Sequence, residues 1–336
     1  MTLPEPSELL RDLNPQQRRA VTAAAGQVLV LAGPGSGKTR VLTYRIAYLV
    51  LSERVPPTNI LAVTFTNKAA REMQHRLEHL LGEQGSGLWL GTFHAICARI
   101  LRREANFVND VCASVLKRDP GAVHFNNAFV IMDADDQDNL IKRAVKDLKL
   151  DEKSYRPAGV HAAISAAKNT LVLPEDFPVQ NYRDEVVRRI NKRYQELLVD
   201  NNSLDFDDLL LYAVLLLDQH PMLQERYGFR FHHVLVDEFQ DTNLAQYKLL
   251  QQLTAFRKNL FVVGDEDQSI YRWRGADYRN VLRFEEDFPG CQKILLEQNY
   301  RSTQTVLDAA RAVIDRNTHR TPKHLFTERG LGERIT

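Results

Sequence analysis

The stretch Val28-Leu29-Val30-Leu31-Ala32-Gly33-Pro34-Gly35-Ser36-Gly37-Lys38-Thr39 decides the fold. Four apolar residues of strand character run into a glycine-rich turn. From Thr39 to Leu51, Val41, Leu42, Ile46, Leu49 and Val50 then recur at helical spacing, until Pro56 and Pro57 forbid continuation. Strand, glycine turn and helix in that order make a phosphate-binding P-loop. Gly33, Gly35 and Gly37 let the backbone around Ser36 curl so that successive N–H groups meet phosphate oxygens, and the positive end of the helix dipole adds to them. Lys38 offers a mobile charge to the outer phosphates, and the Thr39 hydroxyl a ligand to Mg2+. Ala32 stands where the strict pattern has its first glycine, which is tolerable because that residue still belongs to the strand end. The bland alternative, a glycine-rich turn with a chance Lys-Thr pair, explains neither the strand before nor the helix after.

Working outward, four more apolar runs have strand length: Ile60–Phe65, Leu88–Phe93, Val234–Val236 and Leu260–Val263. Each is followed by a turn and a helical pattern, and that alternation predicts an α/β fold, a parallel sheet with helices on both faces. Between Ala95 and Gly228 the periodicity is mostly helical. Asp133 is placed to cap a helix through Leu148, and further helices are expected over Asp184–Leu198 and Phe206–Leu217. This middle stretch reads as a mainly helical domain inserted into the sheet domain. Ile294–Gln298 and Ser302–Asp315 predict one more strand and helix, expected to open a further unit.

The chain has 336 residues, 44% hydrophobic and 26% charged, without low-complexity tracts, the profile of a folded protein. Its formal net charge is +1, so a polyanionic partner would have to be held by local side chains rather than by the global field. Cys97, Cys112 and Cys291 form neither a metal pattern nor a disulfide framework and read as reduced core thiols of a cytoplasmic protein. Pro4, Glu5, Pro6, Glu8 and Asp12 are incompatible with a signal peptide. Leu209–Leu217, the richest apolar run, lies between Asp208 and Asp218 and is too short for a bilayer, so a buried helix and no membrane partner are expected.

A P-loop needs an acidic partner. His232 to Glu238 (HHVLVDE) is an apolar strand ending in Asp237 and Glu238, on the sheet edge where the loop also lies. Alone, such a pair is an ordinary surface turn. Joined to the loop, Asp237 reads as a ligand to Mg2+ and Glu238 as the base that orients and deprotonates water. In Tyr271-Arg272-Trp273-Arg274 an extended backbone would put two rings on one face and two guanidinium groups on the other, suited to base stacking beside phosphate contacts. Two core aromatics with exposed arginines is the other reading of the same pattern.

Taken in order, Leu13-Asn14-Pro15-Gln16-Gln17, the AGPGSGKT loop, Thr64-Phe65-Thr66-Asn67-Lys68-Ala69-Ala70, Gly91-Thr92-Phe93-His94, Asp237-Glu238-Phe239-Gln240-Asp241-Thr242-Asn243, Gly264 to Gly275 (GDEDQSIYRWRG) and Gln298-Asn299-Tyr300-Arg301-Ser302 resemble the motifs of the UvrD/Rep/PcrA-type superfamily 1 DNA helicases. The resemblance runs the length of the chain. It implies a RecA-like motor domain in two parts, 1–94 and 229–290, an inserted helical domain at 95–228, and the start of an incomplete second motor domain at 291–336. It also implies roles. Gln17 would read adenine, Arg40 and Tyr300 sandwich the base, Gln268 sense the γ-phosphate and Arg301 present a cation to it. Phe65, Asn67, Thr92, His94, Tyr271, Trp273 and Arg274 would hold single-stranded DNA. Ser203 to Asp208 and Ala167-Lys168-Asn169 resemble family segments near DNA, and equally fit a helix cap and a solvated face.

The expected activity is therefore ATP-dependent 3′-to-5′ translocation on single-stranded DNA and unwinding of 3′-tailed duplex, with ATP and Mg2+ as cofactors and repair or replication proteins of unknown identity as partners. No segment after Arg301 supplies the remaining family motifs, so a truncated N-terminal piece is expected. A module that binds ATP and single strands but hydrolyses little is the alternative. A transporter ATPase or small-molecule kinase is disfavoured, since an LSGGQ-like signature is absent.

Overall fold

The computed structural model describes residues 6–271, 275–277, 279–317 and 320–334. Its strands are β1 (Gln27–Ala32), β2 (Ile60–Thr64), β3 (Trp89–Thr92), β4 (Val130–Ile131), β5 (Ser203–Leu204), β6 (His233–Val236), β7 (Leu260–Gly264) and β8 (Gln292–Leu296). Six of them form one sheet in the order β3-β2-β6-β7-β1-β8, and every pairing in it is parallel. The near-continuous apolar runs follow from this. β2 and β7 are buried along their whole length and β1 from Val28 onward, because helices cover the sheet and leave no solvated face to alternate with.

The helix Lys38–Leu51 lays Val41, Leu42, Ile46, Leu49 and Val50 into a core shared with Val28, Val30, Ile60, Ala62 and Val263. Helix Asn67–Leu81 begins at Thr66, whose hydroxyl accepts from the Ala69 N–H at 3.1 Å, and adds Met73, Leu77 and Leu81 to the same core. The parallel register brings the carboxyl ends of β1, β6 and β7 to one edge: Leu31 pairs with Gly264, and Val236 with Val262. The P-loop, Asp237 and Asp265 follow directly from those ends.

The chain divides into two compact units, Met1–Thr92 with Tyr227–Thr242 and Leu253–Thr336, and Phe93–Arg226 with Asn243–Gln252. The expected division differs from these units in two places. Asn243–Gln252, expected within the motor domain, falls in the second unit. Residues 291–336 do not open apart from the sheet: β8 pairs with β1 from Val28↔Gln292 to Ala32↔Leu296, so the boundary expected at 291 falls inside the first unit. Ile294 and Leu296 are buried in that unit's core, and shielding β1 from an edge position is the physical reason for the pairing.

The second unit is mainly helical. Asp133 caps helix Ala134–Asp147 in a capping box with Asp136, and the unit has its own core around Ile141, Val145, Ile164, Ile190, Tyr194 and Leu198. Helix Phe206–Gln219 buries Leu209 to Leu211, Leu216 and Leu217, which accounts for the longest apolar run. Among the described residues no helix is long and apolar enough to cross a membrane. Asp205 caps the same helix, but Lys168 is no member of a solvated face: 2% exposed, its ammonium lies 2.6 Å from Asp205 and 2.8 Å from Asp208.

Candidate nucleotide site and nucleic-acid face

The loop Gly33–Gly37 turns into its helix through Gly37, and the closeness of the chain around it accounts for another glycine. Gly35 has φ +67, and a Cβ there would lie 2.8 Å from both the Arg301 Cβ and the Asn299 Nδ2. The Tyr300 N–H donates to the Gly35 carbonyl at 2.9 Å and Asn299 Nδ2 to that of Pro34 at 2.5 Å, so the turn Gln298–Arg301 lies directly on the loop. Only glycine admits both the backbone angle and the neighbour.

Gln17 is buried, donates from Nε2 to the Ser36 carbonyl at 2.9 Å and accepts at Oε1 from the Asn14 N–H at 3.2 Å. One amide hydrogen and one lone pair remain for a base edge. Asn14 caps helix Pro15–Val21, to which Gln17 belongs, and reaches across to the Tyr300 hydroxyl at 2.8 Å and to Gln298 Oε1 at 3.1 Å. Arg40 donates to the Asp12 carbonyl at 3.1 Å and lies over the Tyr44 ring. Arg301 and Tyr300 are exposed. Asn14 and Asn299 escaped notice in the sequence as individual residues; the Asn14-x-x-Gln17 capping box was the legible signal for the first.

Facing the loop, Lys38 Nζ lies 4.0 Å from Glu238 Oε2, and the Thr39 hydroxyl 3.4 Å from Asp237 Oδ2. Glu238 adopts φ 49, ψ 44, a left-handed conformation uncommon for a residue with a side chain, immediately after β6. Burial first, and Glu238 second, push Asp237 up to about 6, with Lys38 and Thr39 opposing. The same two causes raise Asp241 to about 6, opposed by Lys38 and the backbone N–H groups of Ile270 and Tyr271. The cluster thus carries more negative charge than Lys38 offsets. A hydroxyl beside a carboxylate is a hard-oxygen donor pair that fits Mg2+, and among the described residues no cluster of three or more His, Cys, Asp or Glu could hold an ion unaided. Such a pair suits a cation that is shared with phosphate oxygens.

Behind Glu238 lies Gln240, which sequence reasoning passed over. Its Nε2 donates to Glu238 Oε2 at 2.9 Å, while its Oε1 accepts from the Asp265 N–H at 2.9 Å. Gln268 donates in turn to Asp265 Oδ2.

The aromatic elements start from the same edge. Phe65, past the end of β2, stacks on Tyr271 with ring centres 5.3 Å apart, and Asn67 is exposed at the start of the next helix. Thr92 ends β3 and is buried. Arg272, Trp273 and Arg274 lie outside the described residues, and with them the expected alternation of rings and charges. In the second unit His94 meets the half-exposed Phe206 ring edge-on at 5.5 Å, and burial lowers the His94 pKa against the opposing charge of Asp207.

A model of the UvrD/REP helicase N-terminal domain matches residues 13–289. The chain belongs to that family. Among relatives, the ATP-dependent DNA helicase PcrA of Bacillus subtilis (strain 168) is 48% identical over 332 residues, 98% of this chain and 43% of the relative. Those of Staphylococcus epidermidis (strain RP62A) and Staphylococcus aureus (strain Mu50) are each 46% identical over 329 residues, 97% of this chain and 43% of theirs. The chain thus spans under half the length of these UvrD/REP relatives.

Proposed function

We propose that this chain binds ATP with Mg2+ and hydrolyses it as the nucleotide-handling part of a 3′-to-5′ single-stranded DNA translocase and helicase of the cytoplasm. The observation that carries the reading is the meeting of Lys38, Thr39, Asp237 and Glu238 at one sheet edge. The P-loop N–H groups and Lys38 take the phosphates; Thr39 and Asp237 would hold Mg2+, which when bound supplies positive charge to the outer phosphate oxygens. Glu238, poised by Gln240, orients the attacking water and accepts its proton. Gln17, with Arg40 and Tyr300, receives the base, while Gln268 and Arg301 serve the γ-phosphate.

Phe65 and Tyr271 offer a stacking platform within the first unit. Trp273, Arg274 and, separately, His94 of the second unit are assigned to the strand by their motifs' resemblance to the family. Asn67 and Thr92 are assigned to phosphate or sugar, which would make binding largely independent of sequence. Single strands and 3′-tailed duplexes are the substrates of this reading, with repair or replication proteins as partners.

A second reading, nucleotide and strand binding with little turnover, is favoured by charge. Asp237, Glu238 and Asp241 crowd the terminal-phosphate end around Lys38, whereas the Arg301 residue is exposed. ATP hydrolysis by the 336-residue chain, with and without single-stranded DNA and beside a Glu238→Gln control, separates the two. DNA-stimulated turnover that vanishes in the control supports the first. Binding of both ligands with turnover at background supports the second.

A further inference from the structure

Lysine is ordinarily among the most solvated residues, yet Lys323, in Thr321-Pro322-Lys323-His324-Leu325-Phe326, is 1% exposed. Its ammonium lies 2.8 Å from Asp265 Oδ1, 3.0 Å from Asp267 Oδ2 and 3.4 Å from Glu266 Oε1. Burial by itself favours the neutral amine, but Asp265 and its neighbours more than offset this and raise the pKa above the ordinary lysine value. Arg320 adds two hydrogen bonds of 2.9 Å to Asp267, and the Thr321 N–H donates to Glu266 Oε1 at 2.7 Å. Every carboxylate of the turn Asp265–Asp267 is therefore met from this one segment.

The other side of that turn belongs to the nucleotide site. Asp265 holds Gln268 through its carboxylate and Gln240 through its N–H, and Gln240 holds the Glu238 carboxylate that faces Lys38. The segment also touches the P-loop end of the site. Leu325 lies against Gly33, where a Cβ would collide with it, and the Phe326 carbonyl accepts from the N–H of Asn299, whose side chain holds Pro34.

We propose that Lys323, within the first unit, is a positioning residue of the nucleotide site: by neutralising the Asp265–Asp267 turn it fixes the chain Asp265–Gln240–Glu238, and so the end of the site that meets the terminal phosphate. Removing its charge leaves three carboxylates with Arg320 alone, and like charges in a buried turn push it open. The movement reaches Glu238 and Gln268 through Asp265. The segment meets the P-loop through Leu325 and the Phe326 carbonyl rather than through the ammonium, so replacing Lys323 leaves the loop N–H groups, and with them the inner-phosphate contacts, in place.

This inference rests on the reading of the site as an ATP site, and the test keeps the two apart. Calorimetric titration of the 336-residue chain with Mg·ADP and Mg·AMP-PNP would compare wild type with Lys323→Met. The expected result is a loss of roughly tenfold in affinity for AMP-PNP, with ADP affinity held within about twofold, because only the terminal-phosphate end is displaced. A purely structural role would weaken both nucleotides together, and that result, or no change in either, overturns the proposal. Should melting show Lys323→Met unfolded, Lys323→Gln, which keeps a hydrogen-bonding head and removes the positive charge, decides by the same split. A wild-type chain that binds neither nucleotide would instead bring down the ATP-site reading, and this inference with it.

Discussion

Asp237 couples the proposed Mg2+ site to pH. Its carboxyl is pushed up to about 6, above the unfolded value near 4, so it takes up protons more readily in the folded chain. The stability this contributes is present below about pH 4 and is lost as pH rises through about 6. A divalent cation favours the charged form and drives the proton off. Binding of Mg·ADP at pH 6 should thus release a fraction of a proton, seen as a dependence of the binding enthalpy on the ionisation enthalpy of the buffer, and Asp237→Asn should abolish it. A buffer-independent enthalpy in the wild type would show that this carboxyl is not at the cation. Lys168 offers a residue-scale test of the second unit. Replacing it by Met leaves Asp205 and Asp208 buried without their cation, and should cost about 3–5 kcal/mol in denaturant unfolding, the usual penalty for breaking a buried ion pair.

At the scale of elements, the P-loop and the turn Gln298–Arg301 act as one piece, pinned by Tyr300 on Gly35 and Asn299 on Pro34. Gly35→Ala adds a Cβ at φ +67 into that contact and should weaken nucleotide binding about fivefold or more, through loop distortion costing on the order of 1–3 kcal/mol. An unchanged affinity would mean that the loop and turn separate freely. The stacked pair Phe65–Tyr271 makes a matching prediction: Phe65→Ala should weaken single-strand binding by about 1–3 kcal/mol while leaving ADP affinity alone. Much of this element level was legible in the sequence, because periodicity reports burial. The spacing of Val41, Leu42, Ile46, Leu49 and Val50 found the helix after the P-loop, and all five are buried. What stayed hidden depends on long-range partners. Lys168 and Lys323 look like surface lysines until the fold brings carboxylates to them, and Gln240 acquires meaning only between Glu238 and Asp265. β8 was legible as a strand but not as the neighbour of β1, since strand order is not written in local spacing.

For the molecule as a whole, the proposed function requires nucleotide and single strand to be sensed by one connected structure. The first unit holds a physical link between them: Asp241, electrostatically coupled to Glu238, feels the backbone N–H groups of Ile270 and Tyr271, and Tyr271 stacks on Phe65. Coupling of this kind is reciprocal, so whatever the nucleotide does to strand affinity, the strand must do to nucleotide affinity. The direct measurement is the Kd of the 336-residue chain for a fluorescent oligothymidylate with and without saturating Mg·AMP-PNP. A change of about fivefold or more is expected, matched by an equal change in AMP-PNP affinity when the oligonucleotide is saturating. Tight binding of both ligands with neither affinity altered by the other would contradict it.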